Sequence, residues 1–429
     1  MGLASEMTAL KHLEAGDGSR AGGPVTPTSA VRERRFLFVS GPFGPFSAQL
    51  AGRLRAEGAR CDRVLLNGGD LFDWGLFHAH PYFGDSTGFA SWLLATVKRT
   101  SVTDLILFGD CHPYCADARV LASALGLRTH VLELGYFRPH WITLERDGVN
   151  ANSSLPRSPE AVHAAALTTP EEAPAALRPF GVTVVVRNIA YHLFSYLGWP
   201  IFPLYKFPYS HSVVMQMVGH VRGLLAHSLL RERRKTQLTR LVDTPGPLFL
   251  ALLQRPGDSQ LLRHSPFPTV AAFIDGVVAS FARRAPAHAR LLFKAHPLDH
   301  GLERCDAAVA RVATMAGVAD RVFFTGSGDL NRLLDRAHGV ITVNSTAGLA
   351  AIARDRPTIT LGAAIYDMPG LTHQSGLDMF WIHPENPEPD LYQAFRRMVM
   401  ARTQINGAFE SREGADLAMP ELVRRMLSA

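Results

Sequence analysis

The groups best suited to chemistry sit in short polar breaks behind apolar runs. Lys294 and His296 open the segment KAHPLDHG, Lys294–Gly301, directly after the run ARLLF. A lysine placed there can hold positive charge toward a phosphate, and an imidazole can donate a hydrogen bond to it or move a proton. Pro297 restricts the backbone beside His296. Ser345 and Thr346 lie in VNSTAGLAAI, Val343–Ile352, after another apolar run and before a helical pattern. Hydroxyls and N–H groups at a helix start suit a phosphate, and they suit simple helix capping as well. Gly348 allows close helix packing or the approach of a ligand.

Carboxylates recur at the same kind of position. Glu133 in ELGYF ends one apolar run, and Asp110 in GDCHP ends another, with His112 two residues on. Asp258 in QRPGDSQ follows a third. Any of these three can take a proton from an acceptor hydroxyl or stabilise developing positive charge. Together the groups suit glycosyl transfer: loops of the C-terminal half hold a departing nucleotide phosphate while a carboxylate of the N-terminal half faces the sugar. The glycine spacing of an ATP-binding phosphate loop is absent. SGPFGPFS, residues 40–47, also lacks the dinucleotide fingerprint.

Apolar runs that end in glycine or acidic loops read as parallel strands at residues 36–41, 103–109 and 129–139, with helices over Ser47–Gly58 and Asp117–Leu125. CDRVLLNGGD repeats the pattern between the first two. Five more strands follow at 247–254, 289–297, 322–326, 339–345 and 356–362, with helices between them. Alternation of this kind is α/β, two doubly wound Rossmann-like domains facing a cleft. The expected division is a disordered tail over 1–32, an N-terminal acceptor-side domain over 33–240, a C-terminal nucleotide-binding domain over 241–385, and helices over 386–429. Tyr209–Leu230 reads as a long helix.

Composition narrows the classes further. Lys and Arg total 44 against 38 Asp and Glu, a net +6 that favours an anionic partner without naming one. No spacing suits nucleic acid. The four cysteines, Cys61, Cys111, Cys115 and Cys305, are too few for a disulfide scaffold and poorly arranged for a metal, so no metal or cofactor is expected. Residues 1–30 carry charges where a signal peptide needs an apolar core. Asn188–Tyr205 lacks formal charge but holds His192, Gly198, Pro200 and Pro203, which makes a poor spanning helix. RERRKTQLTR, residues 231–240, offers Arg231, Arg233, Arg234 and Lys235 as a solvated connector or as a contact for anionic phospholipid.

SGPFGPFS, NGGD, GDCHPYC, ELGYFRPHWITLE, QRPGDSQ, KAHP, NSTAGLAA and TQINGAF, in that order over roughly residues 34–410, resemble the capsular polysaccharide biosynthesis and export family, in particular its KpsS-like Kdo transferases. The resemblance implies a GT-B-like, retaining glycosyltransferase that uses CMP-Kdo as donor substrate. It implies a lyso-phosphatidylglycerol-type acceptor and work at the cytoplasmic face of the inner membrane, with capsule synthesis and export proteins as partners. By the same resemblance His296, Pro297, Ser345 and Thr346 contact the CMP phosphate. Glu133, Gly135, Tyr136 and Arg138 line the first-domain side of the cleft, and Gln254, Asp258 and Gln260 the other. Whether Glu133, Asp110 or Asp258 is nucleophile, base or charge stabiliser stays open. So do two other readings, a different nucleotide-sugar transferase of capsule synthesis and a noncatalytic assembly protein.

Overall fold

The continuous apolar runs form strands buried on both faces, as helix-flanked parallel sheets require. In the computed structural model, which describes residues 33–166, 177, 182–207, 215, 219, 236, 238–297, 299 and 301–428, they build two sheets. The first comprises β1 Arg35–Phe38, β2 Arg60–Leu65, β3 Ala79–Pro81, β4 Asp104–Phe108, β5 Arg128–Leu134, β6 Trp141–Arg146 and β12 Gln404–Asn406. Its order is β12-β6-β5-β4-β1-β2-β3. The second comprises β7 Leu248–Leu252, β8 Arg290–Lys294, β9 Val322–Thr325, β10 Gly339–Thr342 and β11 Thr358–Thr360, in the order β11-β10-β7-β8-β9.

Every neighbouring pair in the second sheet is parallel. The first sheet is parallel from β3 through β5, as expected. It departs from expectation at one edge, where β6 and β12 run antiparallel. The expected segment 129–139 covers only β5 and the loop beyond it, because the chain turns at Gly135 and comes back through WITLER as β6.

The C-terminal region is also more than helices. The helix Pro389–Thr403 ends in β12, which pairs Ile405 with Ile142 of β6 and so returns the chain to the first sheet. That helix buries Leu391, Phe395 and Met398 in a cluster shared with Tyr136 and Leu155 from the first half and Leu349 and Ile352 from the second. The last helix, Arg412–Leu427, packs Leu422 and Met426 against Phe46 and Leu50. The C-terminus therefore braces both halves, and residues Arg34–Ala429 form one compact unit.

Two N-terminal motifs have structural duties. Arg34 spans Asp104 with contacts of 2.9 and 2.6 Å and donates to the Met426 and Leu427 carbonyls, which ties β4 to the last helix. In NGGD, Asn67 caps the helix Gly68–Trp74 by accepting from Gly69 N at 2.8 Å and Asp70 N at 3.1 Å. Gly68 and Gly69 let the helix Val182–Leu197 lie directly on them. A Cβ on Gly68 would sit 2.1 Å from the Phe194 carbonyl oxygen, and one on Gly69 would sit 2.4 Å from Ser195 Oγ.

That sixteen-residue helix is not foreseen from sequence, since its apolar positions do not mark the side that is buried. The expected helix Tyr209–Leu230 and the residues Arg231, Arg233, Arg234 and Lys235 lie outside the described residues, apart from Met215 and Gly219. The expected tail also lies outside them. No described helix is long and apolar enough to cross a membrane.

Candidate active site

Parallel strands deliver their loops to one edge, and the candidate residues gather there. Glu133 is the next-to-last residue of β5, and Asp110 follows β4. Gln254 and Asp258 follow β7, His296 follows β8, and Ser345 and Thr346 follow β10. The two edges touch through a hydrogen bond: Cys111 Sγ lies 3.1 Å from Nε2 of His264, at the end of the helix Ser259–His264.

Glu133 is half-buried, and its Oε1 accepts from Leu134 N at 3.0 Å. Burial pushes its carboxyl above the usual carboxylate range. The Leu134 N–H and the Arg138 charge oppose that rise, while Asp110 and Asp258 add to it. Asp258 belongs to the other half, so its field crosses between the sheets. Small Gly109 gives the carboxylate room, since a Cβ there would sit 3.2 Å from Oε2.

His296 has the opposite surroundings. Burial depresses its pKa, and the charges of Arg138, Arg255 and Lys294 depress it further against a single opposing carboxylate, Asp299. An imidazole kept neutral among three cations is a poor place for another proton and a good place for a phosphate. Arg138, an exposed residue from the first half, acts on both His296 and Glu133.

Other candidates are committed to the fold. Asp110 is 1% exposed and accepts from Val149 N at 3.0 Å, Asn152 Nδ2 at 2.8 Å and Cys111 Sγ at 3.2 Å, which makes it the anchor of the 149–152 turn. His112 precedes the helix Pro113–Leu125, four residues longer than the expected Asp117–Leu125. Burial and then Arg263 lower its pKa to about 4. Lys294 is buried, and its Nζ donates to the Ala295 carbonyl at 2.9 Å. Asp258 caps its helix by accepting from Gln260 N at 2.8 Å.

Tyr136 and Gly135 do not line the cleft as the resemblance implies. Tyr136 points into the core, where its hydroxyl donates to Glu145 Oε1 at 2.6 Å and accepts from Asn150 N at 2.8 Å. A Cβ on Gly135 would sit 2.4 Å from the Trp141 carbonyl oxygen, so this glycine serves the turn into β6. Gly348 likewise makes room for Tyr366 rather than for a ligand: its Cβ would meet the Tyr366 hydroxyl at 2.3 Å. Ser345 Oγ accepts from Ala347 N at 3.2 Å, so Ser345 carries the capping interaction and Thr346 makes none.

Asn344 is the residue that sequence reasoning passed over. Gln254 Nε2 donates to its Oδ1 at 2.6 Å. Gln254 Oε1, Asn344 Nδ2 and Gln260 Oε1 are left buried and without a hydrogen-bond partner among the described residues. Such groups are costly unless something fills them. A polar residue directly after the buried run GVITV was the available signal. Asp110, Cys111 and His264 also bring three potential ligand atoms within 4.8 Å of one another. Burial and then Asp110 push the Cys111 thiol far above its ordinary range, which suits a hydrogen-bonding thiol rather than a thiolate ligand.

A family model described as capsule polysaccharide biosynthesis protein matches residues 103–409. The chain belongs to this capsule polysaccharide biosynthesis family. Among curated members, the capsule polysaccharide export protein KpsS of Escherichia coli is 32% identical over 386 residues, 89% of this chain and 98% of that one. The capsule polysaccharide modification protein LipB of Neisseria meningitidis serogroup A is 32% identical over 388 residues, 87% of this chain and 91% of that one. Among solved structures, the β-Kdo 2,7 transferase KpsC of Thermosulfurimonas dismutans aligns with a TM-score of 0.42 at 12% identity, covering 92% of this chain and all of that one. For this family member the α/β, GT-B-like arrangement expected from sequence stands on its own two Rossmann-like sheets, whose ligand edges meet at Cys111 and His264.

Proposed function

We propose that this capsule-family protein is a retaining glycosyltransferase that moves Kdo from CMP-Kdo to a lyso-phosphatidylglycerol-type acceptor, and so begins the linker on which the capsule chain is built. The observation that carries the reading is that the loops of the two sheets meet, Cys111 Sγ lying 3.1 Å from His264 Nε2, with Glu133 ending a strand of one sheet and His296 following a strand of the other. Arg138 biases the ionisation of both. Glycosyl transfer from a CMP-sugar needs positive charge at the departing phosphate and a carboxylate at the sugar carbon. Arg138, Arg255 and His296 answer the first need, with buried Lys294 adding charge from behind its bond to the Ala295 carbonyl, and Glu133 the second. The unpaired amide atoms of Gln254, Asn344 and Gln260 suit the hydrogen-bonding edge of a nucleoside.

In this mechanism His296 starts neutral and donates a hydrogen bond to the phosphate. Accumulating negative charge draws a proton toward it as CMP leaves. As the bond from the anomeric carbon to the CMP phosphate breaks, Glu133, once ionised, either takes the proton of the attacking acceptor hydroxyl as base, bonds that carbon as nucleophile, or stabilises the positive charge developing on it. Asp110 holds the 149–152 turn, and Asp258 adds negative field from the other half. No metal step is needed for this division of roles.

The test is direct. The full chain is incubated with CMP-Kdo and lyso-phosphatidylglycerol, with parallel reactions on other CMP-sugars and on UDP-sugars. The expected result is CMP release together with a lipid product heavier by one Kdo residue. Transfer of a different sugar replaces the donor assignment, and no nucleotide release with any donor sinks the transferase reading.

A further inference from the structure

The helix Val182–Leu197 is built inside out. Its inward strip is polar or small. Tyr191 OH donates to Asp70 Oδ1 at 3.2 Å, Ser195 Oγ donates to Asn67 Oδ1 at 3.0 Å, and Gly198 approaches Gly68. Its apolar strip faces away from the protein. Val186, Ile189, Leu193 and Leu197 are all more than half exposed, and Trp199 and Ile201 continue the strip beyond the helix end. An ordinary surface helix has the reverse arrangement.

The patch is larger than one helix. Phe72 stacks on Phe194 with ring centroids 4.1 Å apart, which joins the strip to Leu76 and Phe77; Phe77 is 86% exposed. A contiguous apolar surface of this kind marks an interaction site.

Charge identifies the occupant. Between Glu172 and Glu232 the sequence contains no Asp or Glu, so every formal charge there is positive. Within the described part, Arg187 and Lys206 flank the exposed Ile, Leu and aromatic side chains. An apolar face with Trp and Tyr at its margin, on a stretch of chain whose formal charges are all positive, fits the anionic headgroup zone of a bilayer. The neighbouring carboxylates are Asp73, on which Arg187 acts, and Asp85, on which Lys206 acts. At about 1.5 Å per residue the helix is about 24 Å long, suited to lying in the interface plane.

The helix that carries the patch also packs against loops of the first sheet. The helix lies over the ligand edge of the first sheet: Phe43, in the loop after β1, packs on Tyr191 at 4.5 Å. Tyr205 stacks at 6.1 Å on Tyr114, which stands beside His112.

We propose that the outward face of Val182–Leu197, extended by Trp199, Ile201 and the Phe72–Phe77 segment, docks the protein on an anionic lipid surface by shallow insertion, and thereby presents the first-half side of the cleft to a lipid-borne acceptor. The second clause rests on the lipid-acceptor reading above, while the docking itself does not. It places the main lipid contact on this face, whereas the sequence reading offered Arg231, Arg233, Arg234 and Lys235 as either a phospholipid contact or a solvated connector.

The experiment floats the full chain with vesicles of phosphatidylglycerol and phosphatidylethanolamine, without any donor. Leu197→Glu combined with Trp199→Glu is compared with charge reversal to Glu at Arg231, Arg233, Arg234 and Lys235. Wild type should float and remain bound at about 1 M salt, where charges are screened beyond about 3 Å. The Leu197/Trp199 variant should lose binding by about tenfold or more while keeping its melting temperature. The charge-reversal variant should still float at high salt. Unchanged flotation of the Leu197/Trp199 variant overturns the proposal. So does wild-type binding that vanishes at high salt, or a wild-type dimer in sedimentation that this variant splits while no vesicles are bound. CMP release is scored separately, so a chain that docks without turnover defeats the transferase reading alone.

Discussion

Cys111 and His264 join the two sheets at their ligand edges, with the thiol sulfur 3.1 Å from Nε2 of the imidazole. Asp110 accepts from the same sulfur at 3.2 Å and also from Val149 N and Asn152 Nδ2, so this contact is tied to the 149–152 turn. Cys111→Ala and His264→Ala should therefore be non-additive. A double-mutant cycle on CMP affinity should return a coupling of about 0.5–1.5 kcal/mol. Simple additivity would mean that the contact does not help to position the two halves.

Glu133→Gln removes the ionisable group and keeps the shape. We expect turnover to fall by about 10²–10⁴-fold. CMP binding should change by less than about threefold, because Glu133 is assigned to the sugar carbon and not to the phosphate. Since burial raises the Glu133 pKa, the ionised form is lost earlier as pH falls. Wild-type kcat should decline on the acid side with an apparent pKa above the ordinary carboxylate value. A limb unchanged by the substitution would assign it to another group.

Donor affinity should carry the signature of His296. In the free protein its pKa is depressed by burial and three cations, so the imidazole is neutral near pH 7. A bound phosphate favours the imidazolium and raises that pKa, so binding takes up a proton. CMP affinity should then be greatest at low pH and decline as pH rises through the bound-state pKa. His296→Ala should weaken CMP by about 1.5–3 kcal/mol and flatten this profile. Calorimetry in two buffers of different ionisation enthalpy reads the proton directly, and zero uptake by wild type counts against the contact.

Gly68 and Gly52 should respond in opposite directions to alanine. At Gly68 the new methyl meets the Phe194 carbonyl oxygen at 2.1 Å, a backbone atom that cannot turn aside. Thermal unfolding should show a loss of about 1–3 kcal/mol. Gly52 lies on the exposed side of the helix Phe46–Ala56 with nothing within 4 Å of its would-be Cβ. Gly52→Ala should gain about 0.5–1 kcal/mol. Equal responses would mean that the Val182–Leu197 helix does not rest on Gly68.

Much of the scaffold is determined by the sequence alone. Runs such as LFLAL and RLLF can bury both faces only in a parallel sheet, and parallel connections bring the loops behind them to one edge. That local logic already places Glu133, Asp258, His296 and Ser345 together. What each loop residue faces was decided by tertiary structure, because its partner comes from far along the chain. Tyr136 is oriented by Gln404, 268 residues away, whose Oε1 accepts from Tyr136 N. This pairing turns the tyrosine into the core and leaves Glu133 at the edge. The outward apolar face of Val182–Leu197 follows the same rule. Its hydrophobic spacing is visible in the chain, but its direction is set by Asn67 and Asp70, which hold Tyr191 and Ser195 from more than a hundred residues upstream. Periodicity records which residues share a face, whereas the side that is buried depends on long-range contacts.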